Sequence, residues 1–188
     1  MEEHLDRFRM YGLVPYNISP IQQGIQFGHA LQEYNNILGE TYGGRPSPSY
    51  DEIGEDFNTW RLEDKTFIIL NGGTSMTMEQ HIISLKDAGI HVGVFKEPDL
   101  NNMVSGIVFL VPENVYKRVE WPDFKTWLLN KNPSNTDDGG TINRGGMSRM
   151  SHDDLRVEYN VLYHEWVTMV GGEKNAFLKE FTSQFRMA

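Results

Sequence analysis

The sequence predicts an α/β protein with a mixed four-stranded sheet flanked by helices and a C-terminal helical extension. Short runs of β-forming residues alternate with amphipathic stretches over the first 112 residues. A helix start signal follows the first of these runs, and no internal repeat interrupts the pattern. After residue 130 the composition changes to a stretch rich in Gly, Asn and Ser, followed by two amphipathic segments.

The first strand and the first helix are predicted from local signals. Residues 7–14 are mostly apolar or β-forming and are expected to form the strand. Ser19 and Pro20 fit the N-cap and the first position of a helix. Apolar side chains recur along that helix at Ile21, Ile25, Leu31 and Leu38. Residues 43–49 are expected to form a loop, and a short helical segment through Phe57 and Trp60 follows it.

Three further strands and one helix complete the predicted sheet domain. Residues 66–70 form a short apolar run, which indicates a buried strand ended by residues 71–73. A second helix is expected over residues 78–85, with Gly89 as its C-cap. Residues 91–95 and 107–111 are the remaining strands. The order β-α-β-α-β-β implies a mixed sheet with helices packed against it.

The rest of the chain is predicted to be a separate segment, so that a domain over residues 1–130 precedes an extension over 131–188. Residues 132–147 are expected to form a loop, and whether its Gly-rich part, 138–147, closes over a ligand is left open. Ser151 and Asp154 fit a capping box at the start of an amphipathic helix that reaches Trp166. A last helix carries Phe177 and Phe181.

The charge of the chain restricts its partners. The net charge is −9, and residues 1–130 account for −8 of it, with 10 Lys and Arg against 18 Asp and Glu. A protein that binds a polyanion normally displaces counterions with clustered Lys and Arg, and this chain has no basic run. Weak or no binding to bulk nucleic acid is expected, whereas a small ligand with one or two phosphates remains compatible.

The absence of cysteine and of long apolar runs restricts chemistry and location. With no Cys in the chain, disulfides, a thiolate nucleophile and Cys-ligated zinc are excluded. The acidic N-terminus does not fit a signal peptide, and no apolar stretch approaches the roughly 20 residues that span a bilayer. We expect a cytoplasmic protein with no membrane partner, no metal site and no cofactor.

Four segments of the chain carry a family resemblance. Residues 22–30, QQGIQFGHA, resemble the G-K-x-A-A-Q-x-x-H-A segment of the archaeal- and eukaryotic-type peptidyl-tRNA hydrolases, with Gln26, His29 and Ala30 at matching positions. The other three are similar to that family in the same order, and they are Trp60, residues 86–92, and residues 96–111 with Gly106. The resemblance covers about residues 7–130 and implies the fold of that family.

The departures from the family pattern bear on function. Gln22 stands where the family has a lysine, and Glu97 stands where it has an aspartate. The family's threonine positions fall near Asn101 and Ile107, and an isoleucine cannot donate a hydrogen bond. The resemblance therefore implies a ligand site of that family in which the ester-cleaving groups are largely replaced.

The expected function is recognition of a small nucleotide-containing ligand. We expect a phage protein in the host cytoplasm that cleaves or sequesters a nucleotide signal of bacterial immunity, such as a cyclic nucleotide. Whether the chain is a hydrolase or a non-catalytic binder is left open. The alternative is an authentic peptidyl-tRNA hydrolase.

The candidate site combines residues of the first helix with residues that follow the third strand. His29 and Glu97 are the candidate catalytic pair, since an imidazole titrates near neutral pH and a carboxylate can orient it. The candidate ligand-binding residues are Ser19, Gln22, Gln23, Gln26, Asn101 and Asn102. For each, a solvated surface or a structural role is the alternative. The apolar faces after residue 151 favour a homodimer, because such faces must be buried.

Overall fold

The computed structural model describes residues 7–39, 48–131 and 150–188. Its strands and helices are, in chain order, β1 (Phe8–Pro15), α1 (Pro20–Gly39), α2 (Pro48–Thr59), β2 (Phe67–Gly73), α3 (Ser75–Asp87), β3 (Gly93–Glu97), β4 (Met103–Pro112), α4 (Glu113–Tyr116), α5 (Phe124–Lys131), α6 (His152–Glu158), α7 (Asn160–Met169) and α8 (Glu173–Ser183). A π-helix (Trp60–Asp64) continues α2, and a 3-10 turn (Pro98–Leu100) follows β3.

The four strands form one mixed sheet in the order β2-β1-β4-β3. Strand β1 pairs with β2 in parallel, and β4 runs antiparallel to both β1 and β3. The predicted α/β class, with a mixed four-stranded sheet and flanking helices, is confirmed. Because β1, β2 and β3 run in the same direction, their carboxyl ends lie at the same end of the sheet, where β4 begins.

Two strands, β2 and β4, are longer than the sequence predicts because pairing with a neighbour extends them, and β3 keeps its length but begins and ends two residues later. The sequence predicts that residues 71–73 end β2, yet Asn71 and Gly73 still pair with β1, opposite Val14 and Pro15. At the other side of the sheet, Glu97 pairs with Met103, which extends β4 toward its start and moves the end of β3 from residue 95 to Glu97. Glu97 is therefore the last residue of β3.

Helix α1 lies unusually close to β3 and β4. A Cβ atom at Gly93 would sit 2.4 Å from the Ala30 carbonyl oxygen, and one at Gly106 would sit 2.5 Å from the Gln26 carbonyl oxygen. Real side chains do not approach backbone atoms that closely, so glycine at both strand positions permits the contact. Of the apolar positions predicted for α1, Ile21 and Ile25 are exposed. The helix instead contributes Phe27, Ala30 and Tyr34 to a core shared with the sheet, α2 and the π-helix, in which Met10, Val14, Phe57, Trp60 and Val108 are also buried.

The chain divides into two compact units. The first extends to Glu113 and also includes Phe181–Ala188, and the second is Asn114–Glu180. This division differs from the predicted boundary after residue 130, because α5 packs against α7 in the second unit. Phe124 and Leu128 of α5 are fully buried in the apolar core of that unit. The predicted loop 132–147, including the lid candidate 138–147, lies outside the described residues, as does most of loop 43–49.

Residues 150–188 form three helices where the sequence predicts two. Ser151 and Asp154 make the predicted capping box at the start of α6. The helix expected to run to Trp166 is interrupted at Tyr159, whose φ of −112° and ψ of 40° are not helical. This break separates α6 from α7.

The apolar side chains behind the homodimer prediction are buried or half-buried within a single chain. Leu155 and Trp166 are fully buried in the core of the second unit, and Phe181 packs in the first unit beside Phe109, at 5.9 Å between ring centroids. These faces therefore need no second chain to cover them. The homodimer stays a prediction, without the argument from unburied helix faces.

The last residues of the chain add to the edge of the sheet. The Asn71 N–H donates to the Arg186 carbonyl at 2.9 Å, and the Ala188 N–H donates to the Ile69 carbonyl at 3.0 Å. Met187 thus pairs antiparallel with Leu70 of β2, an edge strand. Polar backbone groups on this part of the edge are satisfied by the chain itself. Residues 186–188 carry no strand pattern that would predict this pairing.

Candidate functional site

The start of α1 is closed by its own side chains. The Ser19 Oγ accepts from the Gln22 N–H at 3.3 Å, while the Gln22 Oε1 accepts from the Ser19 N–H and Oγ at 3.0 Å each. This is a capping box. The Gln23 N–H bonds to the Ser19 carbonyl at 2.9 Å, and Pro20 has no N–H. Of these first backbone donors of α1, the Ile21 N–H alone has no acceptor within the described chain, so the helix start offers little to an external phosphate.

The second glutamine of α1, Gln23, is also held locally. Its Nε2 donates to the Pro15 carbonyl at 3.3 Å, which ties α1 to the carboxyl end of β1. Ser19, Gln22 and Gln23 therefore bond within the connection between β1 and α1. None of the three forms a hydrogen bond with Glu97, whose side-chain partner is Gln26.

Gln26 joins α1 to strands β3 and β4. Its Nε2 donates to the Glu97 Oε2 at 2.8 Å, and its Oε1 accepts from the Ser105 Oγ at 2.8 Å. A carboxylate can only accept, so the bond to Glu97 also orients the amide with its oxygen toward Ser105. Both ends of the Gln26 amide are engaged, and the hydrogen bonds link α1 to β3 and β4 at once.

His29 lies one turn further along α1 and faces the same strand. Its ring stacks on Phe95, with 4.4 Å between ring centroids and 20° between the planes. His29 is exposed, whereas Phe95 is half-buried and packs against the core of the first unit. Glu97 bonds to Gln26 and not to His29. The two candidate catalytic residues, His29 and Glu97, therefore take part in neighbouring contacts between α1 and β3. They are not hydrogen-bonded to each other.

Asn101 and Asn102 form the tight turn between β3 and β4. Both have left-handed backbone conformations, with φ of 54° and 57°, which asparagine tolerates better than most residues. The Asn102 N–H donates to the Glu97 carbonyl at 3.0 Å, and both side chains are exposed. This turn fixes the backbone of Glu97 at the sheet edge, and its exposed amides lie at the same edge.

Electrostatically, the site is a carboxylate without a salt bridge. No Lys or Arg of the described residues forms an ion pair with Glu97, which is half-buried. Gln26 occupies one of its two oxygens, and the other can accept from a hydroxyl or an amino group of a ligand. Within the described ranges, no three His, Asp or Glu side chains gather in a metal-binding arrangement.

Sequence reasoning missed two residues of this site. Ser105 is buried, with 6% of its surface exposed, and stands between Val104 and Gly106 in an otherwise apolar strand. A polar residue in such a position requires a partner, which was the available signal. Phe95 precedes Glu97 by two residues, and both side chains contact α1, Phe95 through His29 and Glu97 through Gln26. The pairing of β3 with β4 shifts register between Phe95 and Lys96, so regular alternation along the strand does not by itself give this shared face.

Other residues that carried the family resemblance have packing roles here. Trp60 is buried, and its Nε1 donates to the Thr66 carbonyl at 3.1 Å. Gly106 allows the close approach of α1 described above.

Comparisons of the chain with protein-family models and with curated proteins found no match.

Among the residues that the structure describes, no helix combines the length and apolarity needed to cross a bilayer.

Proposed function

We propose that this chain binds a small nucleotide-containing ligand at the sheet edge formed by Gln26, Glu97 and His29. The observation that carries the proposal is the double engagement of Gln26 by Glu97 and Ser105. A carboxylate held by a fixed amide is preorganised to accept a ligand hydroxyl or amine, since little ordering remains to be done on binding. The carboxyl ends of strands are also where α/β sheets most often place ligands.

Binding without cleavage is better supported than hydrolysis. A general base needs a partner that orients it, and Glu97 bonds to Gln26 instead of His29. The chain would then sequester its ligand. In the setting we propose, a phage-encoded form acts in the host cytoplasm on a cyclic nucleotide of bacterial immunity, and a dimer is not needed for the site.

Authentic peptidyl-tRNA hydrolase activity is the alternative that the resemblance leaves. Gln22 replaces the lysine of that family, and its side chain is bonded to Ser19 at the helix start. The net charge of −8 over residues 1–130 further opposes binding of a whole tRNA. Cleavage of peptidyl-tRNA is therefore treated as an outcome of the test.

The test is a ligand panel with two readouts. Cyclic AMP, cyclic GMP, cyclic dinucleotides, AMP, GMP and an N-acetylated aminoacyl-tRNA are incubated with the protein, which is then examined by thermal shift and by chromatography of the ligand. A thermal shift with intact nucleotide supports the proposal. New nucleotide products would show a hydrolase, and a released amino acid would show the peptidyl-tRNA alternative.

A matched pair of variants connects binding to the site. Glu97→Gln removes the carboxylate charge, and Asp99→Asn removes an exposed charge two residues away. We expect Glu97→Gln to weaken nucleotide binding and Asp99→Asn to leave it unchanged. Equal binding by both variants would place the ligand elsewhere.

A further inference from the structure

His29 has an unusual combination of exposure and restraint. One face of its ring stacks on Phe95, and the residue as a whole is exposed. The described residues provide no hydrogen-bond or ion-pair partner for His29 and no second ring contact besides Phe95. One face of the imidazole is therefore covered by Phe95, and the opposite face is exposed to solvent.

The helix and the strand place this surface beside the polar cluster. Gln26 and His29 are three residues apart on α1, so they lie on the same side of the helix. Phe95 and Glu97 of β3 both contact α1, so they lie on the face of the sheet that α1 covers, across a register shift between Phe95 and Lys96. The contacts Gln26–Glu97 and His29–Phe95 thus form two consecutive links between α1 and β3.

We propose that the outer face of His29 stacks against the heteroaromatic base of the ligand, an inference that rests on the proposed function above. Every nucleobase has a flat π-face, and stacking on an aromatic side chain tolerates different bases. Because Phe95 already restrains the imidazole, stacking costs little side-chain freedom. The carboxylate of Glu97, which belongs to the neighbouring contact between α1 and β3, then accepts from a ribose hydroxyl or an amino group of the base.

This role differs from general acid–base catalysis, for which His29 was a candidate. A catalytic imidazole needs its ring nitrogens, and its tautomer is set by a hydrogen bond from a neighbour. A stacking platform needs only the ring. Replacing His29 with phenylalanine removes the nitrogens and keeps the ring, whereas replacing it with alanine removes both.

The test compares these two variants on ligands with and without a base. Wild type, His29→Phe and His29→Ala are titrated by calorimetry with AMP, GMP, cyclic AMP, cyclic GMP and ribose 5-phosphate. We expect His29→Phe to bind the nucleotides within about threefold of wild type. We expect His29→Ala to bind them roughly 5- to 150-fold more weakly, the usual effect of removing one stacking side chain. Ribose 5-phosphate should bind weakly and equally to all three.

A spectroscopic readout separates stacking from a merely structural effect. A base stacked on the imidazole shifts the His29 ring protons upfield by its ring current when AMP is added to the wild type. If His29→Phe weakens nucleotide binding as much as His29→Ala, or if ribose 5-phosphate binds as tightly as AMP, the stacking inference is overturned and the proposed function stands. If the wild type binds none of the nucleotides, the proposed function itself fails.

Discussion

Gln26 donates a 2.8 Å hydrogen bond to Glu97 across 71 residues of sequence. The bond holds the second turn of α1 against the last residue of β3. The buried Ser105 hydroxyl of β4 donates to the oxygen of the same Gln26 amide. The same three residues therefore serve the packing of the helix and the proposed recognition of a ligand. Substitutions at this point should change both.

Replacing Gln26 with alanine should lower stability as well as ligand affinity. The Ser105 hydroxyl would remain buried without its acceptor, and Glu97 would lose the amide that donates to it. Leaving such groups unpaired costs about 1–3 kcal/mol. The measurement is the free energy of unfolding from chemical denaturation. Gln32→Ala is the control, because Gln32 bonds the exposed Asn36 on the same helix. Equal stabilities of the two variants would contradict the structural role of Gln26.

Replacing two glycines with alanine should change stability in opposite directions, because Gly106 lies in the sheet beneath α1 and Gly28 lies on the exposed side of α1. Gly106→Ala places a Cβ atom 2.5 Å from the Gln26 carbonyl oxygen, so α1 must move away from β4. Overpacking of this kind costs about 1–3 kcal/mol. A Cβ atom at Gly28 of α1 would meet nothing within 4 Å, and alanine there should stabilise the helix by up to about 1 kcal/mol. Thermal unfolding of both variants checks the signs, and a neutral Gly106→Ala would refute the close approach.

Stability should fall in mild acid because of two histidines in the first unit. Burial lowers the pKa of His81, which packs edge-on against Phe181 and Phe185 at 5.5 and 5.0 Å. Burial, followed by the charge of Lys86, lowers the pKa of His91. The unfolded chain then binds protons below about pH 6.5 that the folded chain does not, so the free energy of unfolding decreases as the pH falls.

The check is denaturation at several pH values between 7.5 and 5. His81→Leu and His91→Leu should each flatten the decrease in unfolding free energy. A slope that stays the same in both variants would assign the acid sensitivity to other groups.

The second unit should become more stable in mild alkali through Lys179. This side chain is almost fully buried, and its Nζ donates to the Asn114 and Val115 carbonyls at 3.0 and 2.7 Å. Burial, with a smaller effect of Arg118, lowers the pKa of Lys179 to about 8. A neutral amine keeps two N–H groups, enough for both carbonyls. Since the unfolded lysine stays protonated to higher pH, the stability of the folded chain rises above pH 8.

The difference in unfolding free energy between wild type and Lys179→Met isolates this effect. It should increase in favour of wild type from pH 7.5 to 9.5. Above about pH 10 the stability of both proteins should fall, because burial raises the pKa values of Tyr34 and Tyr163, and the difference between the two proteins removes that shared effect. Parallel stability curves for the two proteins would show that Lys179 titrates normally.

The sheet and its helices could be predicted because their signals are local. Apolar runs, the Ser19–Pro20 helix start and the capping box at Ser151 each depend on a few neighbouring residues. The pairing of Met187 with β2 could not be predicted, because three residues without a strand pattern are held by a partner more than 100 positions away. The extension of β2 through Gly73 has the same origin, since pairing with β1 overrides the turn preference of those residues.

The candidate site could be predicted in part, and for a related reason. The sequence pointed to Gln26, His29 and Glu97, but their partners Ser105 and Phe95 depend on how α1 lies across two strands. The prediction of Gln22 as a ligand-binding amide overlooked that Ser19 and Gln22 have the spacing of a capping box. That signal was local and available, and it accounts for the side chain of Gln22 fully within the start of α1.

The most direct test of the central claim is to locate a bound nucleotide on the protein. Isotope-labelled protein is titrated with cyclic AMP, cyclic GMP, AMP, GMP and cyclic dinucleotides, and amide signals are followed by NMR. The account predicts saturable shifts of the Gln26 side-chain amide and of the backbone from Phe95 to Asn102, with little change in residues 150–180. No saturable shift with any of these nucleotides, or shifts confined to the second unit, would contradict it.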